Sequence, residues 1–337
     1  MKKDKPFKSI LFLIIIILAI AGCEALKISK PIIPIKEYER LIVGSLEAQY
    51  VGTDTCLAAC HYHDEIRKNF EASTMGIQLS RKSGMPIVDC ESCHGPGSLA
   101  IEGITVEKVE SDAKKGIQTA CNYNTFIDIK NLPPQAKSLI CLKCHTANAT
   151  FNLHNWNAGE HATNDVACTD CHNICKTFKK GSSDLTVRPH DIANMCYSCH
   201  QGIKAEFSLP SRHPVEEKRI FCTDCHDPHG SINEKLLRKL PIKETCVQCH
   251  MDKGGPFVFE HADITEDCNN CHNPHGSINN NLLKQREPFL CLQCHIGHRW
   301  TDKGESNVSR YTRCTDCHFK IHGTDLPSSS GRGRFTQ

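Results

Sequence analysis

Nine times this chain reads Cys-x-x-Cys-His. The first cysteines are Cys90, Cys141, Cys168, Cys196, Cys222, Cys246, Cys268, Cys291 and Cys314. The second are Cys93, Cys144, Cys171, Cys199, Cys225, Cys249, Cys271, Cys294 and Cys317. A tenth site, Cys56-Leu57-Ala58-Ala59-Cys60-His61, has one extra residue between its thiols. Two thiols about one helical turn apart can add to the two vinyl groups on one edge of a porphyrin. The histidine that follows then presents its imidazole to the iron from the same side, which is the attachment chemistry of haem c. Zinc sites pair two such cysteine units, or one with a distant histidine pair, and give no reason for a His after every second Cys. A thioredoxin-like redox motif would occur once, in a βαβ setting, and disulfides need no His. The spacing therefore predicts ten covalently bound haem c groups.

Half of the 20 histidines follow these motifs as proximal iron ligands: His61, His94, His145, His172, His200, His226, His250, His272, His295 and His318. The other ten match them in number and are candidate distal ligands: His63, His154, His161, His190, His213, His229, His261, His275, His298 and His322. Ligation by two histidines saturates the iron and suits low-potential electron transfer, whereas a methionine in the sixth position raises the potential. No catalytic residue is assigned.

These groups need elements to position them, and the composition limits what those can be. Of 337 residues, 39% are hydrophobic, but that share includes 23 Cys, and aromatics are only 6%. A chain of this length would normally bury a sizeable apolar core; this one has too few large apolar residues and is too long for a disulfide scaffold. Haem faces are the expected core. The fold class predicted is a multihaem cytochrome c: short α-helices and irregular loops wrapped around a haem chain, with little β-sheet. The haem-free chain should be largely unfolded, by the coupling of ligation to folding known for metal sites. The balance of 40 basic against 38 acidic residues argues against a nucleic-acid partner.

Residues 1–22 read as a lipoprotein signal peptide. Lys2, Lys3, Lys5 and Lys8 precede an apolar run from Ile10 to Ala21, too short for the about 20 residues of a transmembrane helix. The run ends in Ile20-Ala21-Gly22-Cys23, which resembles the bacterial lipoprotein box, with Cys23 lipidated; ordinary cleavage near Ala21-Gly22 is the alternative. Residues 23–50 read as a tether. Losing four Lys and one Asp with the signal takes the net charge from +2 to −1. Haem propionates would make the holoprotein more acidic.

The chain also repeats. Cys222 to Leu237 reads CTDCHDPHGSINEKLL and Cys268 to Leu283 reads CNNCHNPHGSINNNLL. First cysteines at 168, 222, 268 and 314 form one series, and those at 141, 196, 246 and 291 interleave with it, so the repeating unit carries two haems. A His precedes the first site of a unit (His161, His213, His261, His298) and another follows it (His229, His275, His322). Where the first unit should carry that second His stands Cys175, read as a free or disulfide-bonded thiol with Cys121 as the available partner, or as a direct iron ligand.

The series CTDCHDPHGS, CNNCHNPHGS, CLQCH and the closing CTDCHFKIHG resembles the periplasmic decahaem cytochromes of metal-reducing and dimethyl-sulfoxide-respiring bacteria, the MtrA/DmsE type. The resemblance covers about residues 50 to 335. It implies an N-terminal pentahaem half (51–205), a C-terminal pentahaem half (206–337), and a haem chain that carries electrons through a porin-type barrel in the outer membrane. Its implied partners are that barrel and other multihaem cytochromes upstream and downstream. With the lipid at Cys23, the expected location is the periplasmic face of the outer membrane of a Gram-negative bacterium. The chain departs from the family where His is common: at Thr74-Met75-Gly76, near Ser98 and at Cys175. Met75 is read as a sixth ligand or as packing. An open iron in the N-terminal half would suit a reductase of a small anion such as nitrite, and an extracellular filament subunit is a third reading that the lipid box disfavours.

Overall fold

The computed structural model describes residues 35–60, 66–71, 73, 75–76, 87–117, 121–146, 153–172, 192–261, 266–295, 313–316 and 318–327. The signal segment, Cys23, His61, His63, Cys175, His190, His298 and Cys317 lie outside these residues.

The described chain is built from short helices and turns. Thirteen α-helices run from four to twelve residues, with 3-10 turns between them. Among the described residues there is no strand, only four isolated bridges. None of the helices described is long and apolar enough to cross a membrane.

The attachment motifs are themselves the helices. In these described motifs the N–H of the histidine reaches back to the carbonyl of the first cysteine: His172 to Cys168 (2.8 Å), His226 to Cys222 (2.9 Å), His250 to Cys246 (3.0 Å) and His295 to Cys291 (2.9 Å). One helical turn thus places both thiols and the imidazole on one side. Sequence fixes where the turn begins. In Cys-Thr-Asp-Cys the aspartate folds back on the residue before the motif: Asp170 accepts from the Ala167 N–H and Asp224 from the Phe221 N–H, both at 2.8 Å. In Cys-Asn-Asn-Cys that role passes to Asp267, which accepts from the Asn269 N–H at 2.9 Å. A carboxylate at a helix start satisfies a backbone donor and complements the dipole.

The longest helix, Pro134–His145, starts with proline in its first turn and ends with Lys143 and His145, which suits both ends. It buries Ala136 and Ile140 against Ile127 and Leu132, with Leu41, Cys93 and Ile129 at the edge. A second cluster gathers Tyr197, Phe207 and Val215. Among the described residues these two small clusters are the apolar core. Several large apolar side chains elsewhere lack cover: Ile232 is 91% exposed and Ile278, its repeat equivalent, 76%. The shortage of core read from composition is visible in the fold.

Two long-range ties organise the N-terminal part. The buried Glu91 carboxylate accepts from the backbone N–H groups of Val51, Gly52 and Gly97 at 2.7–2.9 Å, joining the first two attachment segments. Cys60 is disulfide-bonded to Cys121, with Cα atoms 6.0 Å apart and a sequence separation of 61. Closing a loop of that length removes about 4 kcal/mol of unfolded-state entropy in the chain-entropy model.

Candidate metal centres

The repeat sequence builds a cradle for the proximal histidines His226 and His272. In the Cys222 unit, Lys235 and Leu236 both take positive φ (54° and 55°); in the Cys268 unit, Asn281 and Leu282 do the same (57° and 58°). Such values are outliers for leucine, and the surroundings hold them. The bend turns the Lys235 carbonyl onto His226, whose Nδ1–H donates to it at 2.8 Å, and the Asn281 carbonyl onto His272 at 2.7 Å. Ser231 and Asn233 both donate to the Leu237 carbonyl (2.7 and 2.8 Å), as Ser277 and Asn279 do to Leu283. The repeated Gly-Ser-Ile-Asn-x-x-Leu-Leu is therefore the clamp behind the proximal imidazole.

The same segment orients the other histidines. His161 donates through Nδ1–H to the Pro228 carbonyl at 3.0 Å, and His213 to the Pro274 carbonyl at 2.6 Å. His261 meets the Ile321 backbone at the matching position. His275 donates to Glu206 at 3.2 Å. A proton fixed on Nδ1 leaves Nε2 with a free lone pair, the form in which imidazole binds a metal. Burial adds to this by holding the proton affinity of His261 and His275 down, with Glu206 pulling His275 the other way.

Six proximal rings face six distal candidates. The pairs are His161–His200, His172–His229, His213–His250, His226–His275, His261–His295 and His272–His322, with ring centroids 5.8–6.2 Å apart. That gap holds one metal, given about 2 Å for each imidazole–metal bond and the reach from nitrogen to ring centre on either side. The residues therefore fit an iron ligated by two histidines at each of these places.

The pairing follows a rule that the sequence did not reveal. No site of this group is completed by its own motif. His229, three residues after His226, faces His172 of the preceding unit, and His275 faces His226. His154 is exposed, and none of the described ring pairs contains it. His94 donates to the Ile127 carbonyl at 3.1 Å and has Phe126 edge-on at 6.3 Å. Met75 is half-buried. Ser98, where the family often has His nearby, accepts from the Gln49 N–H at 2.8 Å.

The sulfurs run in chain order. The Cys141 thiol hydrogen-bonds that of Cys168, Cys196 that of Cys222, Cys246 that of Cys268, and Cys291 that of Cys314. The shared proton pulls Cys168 down to about 6 and Cys222 and Cys268 to about 7, with the partner thiols correspondingly raised. Between these pairs, Cys171 neighbours Cys199, Cys225 neighbours Cys249, and Cys271 neighbours Cys294. Cys93 neighbours Cys141. Cys56, pushed up to about 11 by burial and by the adjacent Glu91 and Cys90, begins the series.

Cys60 departs from its expected role. Its sulfur is bonded to Cys121, and a sulfur in a disulfide cannot also form a thioether. Cys121 is correspondingly not the partner of Cys175. The helix Thr53–Cys60 that carries both thiols packs on Val106–Lys114, and Cys60 meets Cys121 there.

Comparison with known proteins agrees with this chemistry. The family model for the doubled CXXCH motif matches residues 213–255 and 261–299, the two units whose cradles are most alike. Multiheme cytochrome MtrA of Shewanella baltica (strain OS185) is 34% identical over 289 residues, which cover 82% of this chain and 80% of that protein. Motif order, paired imidazoles and this similarity together identify a haem c-binding electron-transfer protein: the chain belongs to the MtrA family of multihaem c-type cytochromes.

Proposed function

We propose that this chain is a decahaem electron conduit, lipid-anchored at Cys23 to the periplasmic face of the outer membrane and seated in a barrel porin. It passes electrons between a periplasmic cytochrome and an outer cytochrome or solid acceptor in anaerobic respiration. When bound, each haem c supplies a one-electron Fe(III)/Fe(II) couple.

The observation that carries the reading is the ladder of neighbouring sulfurs from Cys56 to Cys314 in chain order. The chain lines its attachment sites up one after another instead of gathering them about a common pocket. The paired imidazoles at six of these sites would hold an iron from both sides and leave it no open position, which favours a carrier over a catalyst. The Nδ1–H bonds to backbone carbonyls hold the rings in the orientation an iron bound between them would need.

Solubilising membranes in mild detergent and purifying the chain tests the reading. The expected result is co-purification with a barrel protein, ten haems per chain by pyridine haemochrome, and an almost wholly low-spin EPR spectrum. A soluble chain with a strong high-spin signal that binds nitrite would favour the reductase instead.

A further inference from the structure

The ladder leaves two features of the N-terminal part unused: the extra residue of the first attachment motif, and Cys121. The structure joins them.

The helix Thr53–Cys60 carries both thiols of the first site, four residues apart instead of three. Both cysteines are buried, but they face different neighbours. Cys56 is a free thiol and lies beside Cys90 and Glu91, in the line of attachment sites. Cys60 is bonded to Cys121. Cys121 is itself buried, and the Asn122 N–H donates to the Ala100 carbonyl at 3.0 Å, which ties its segment to the stretch that follows the second site. The Cα separation of 6.0 Å lies in the ordinary range for a disulfide.

We propose that the first site carries its haem through a single thioether at Cys56, and that Cys60 is committed to a structural disulfide with Cys121. The proposal rests on the reading that all ten motifs attach haem. In the attachment step the Cys56 S–H adds across one vinyl group. A C–S bond forms, the proton goes to the other vinyl carbon, no electrons are lost, and the second vinyl group remains. In the oxidation step the thiols of Cys60 and Cys121 give two electrons and two protons to the exchangeable disulfide of a dithiol oxidase. That disulfide becomes two thiols as the S–S bond forms. An export signal sends the chain to a compartment where such oxidants act. The disulfide then ties the first site to the segment that follows the second.

Peptide mapping of the mature holoprotein tests this. Free thiols are alkylated under denaturing, non-reducing conditions; half of the sample is then reduced and alkylated with a second label. The expected result is a haem-bearing peptide of residues 56–61 cross-linked to the Cys121 peptide. Reduction should separate the two and place the second label on Cys60 and Cys121 only. Haem bonded to both Cys56 and Cys60, with Cys121 taking the first label, would overturn the proposal and leave the ten-haem reading intact. A 56–61 peptide without haem would overturn both. In variants, Cys60→Ser should keep the full haem count and Cys56→Ser should lose one haem per chain; loss of a haem from Cys60→Ser with Cys121 still alkylatable in the parent would contradict the assignment.

Discussion

The imidazoles of His172 and His229 lie nearly parallel, with centroids 5.9 Å apart and planes 11° apart, although they belong to successive repeats. The same step recurs at His226–His275 and His272–His322. Each repeat therefore finishes the metal centre of the repeat before it. This also ties the expected halves together, since the His172–His229 pair spans residue 205.

Double variants test the pairing. His229→Ala alone should convert one haem per chain from low spin to high spin. Combining it with His172→Ala should convert no further haem, because both imidazoles serve one iron. Combining it with His226→Ala should convert two. EPR spin counts on the purified holoproteins distinguish the cases; the logic is that of a double-mutant cycle, in which partners are non-additive.

The repeated glycines should be intolerant of a side chain. A Cβ on Gly230 (φ +119°) would sit 2.5 Å from the Asn155 carbonyl oxygen, and one on Gly276 would fall inside the shell of the Glu206 carbonyl. Both neighbours are backbone and cannot swing aside. Gly276→Ala should lower stability by about 2 kcal/mol or more. Gly202, inside the helix Gln201–Phe207 with open space around it, is the control: Gly202→Ala should gain about 0.5–1 kcal/mol. Denaturant unfolding followed at the Soret band gives both values.

Glu91 should matter more than a charged residue usually does. It is 2% exposed and accepts three backbone N–H groups from Val51, Gly52 and Gly97. Glu91→Ala would strand those donors in the interior, at a cost of about 3 kcal/mol or more. Glu91→Gln keeps an acceptor oxygen and should lose less. The loss is expected in the transition of the N-terminal part, with the His213–His250 and His226–His275 centres retaining their spectra.

Much of the site was legible before the fold. Cys-x-x-Cys-His is dictated by local covalent geometry, so one helical turn such as Cys222–Cys225 had to form wherever the motif stands. The thin core followed from composition, since Ile127, Leu132, Ala136 and Ile140 are among the few residues able to make one. The distal partners were not legible. His229 lies beside His226 in sequence, yet packing turns it to His172, and spacing carries no record of that. The Pro228 and Lys235 carbonyls were missed because backbone acceptors have no residue-type signature; the faithful repetition of Pro-His-Gly-Ser and Leu-Leu was the only trace. The link from Cys60 to Cys121 has no sequence signal either, since the motif is intact apart from one inserted residue and only the fold brings Cys121 to it.

The central claim, that the chain conducts across a membrane through a barrel, is tested most directly in sealed liposomes. The chain and its co-purifying barrel are reconstituted together around an entrapped, reduced viologen dye, and a membrane-impermeant Fe(III) chelate is added outside. The account predicts rapid oxidation of the dye only when chain and barrel are both present, and its loss when the chain is prepared without haem. Oxidation no faster than in liposomes holding the barrel alone would contradict it.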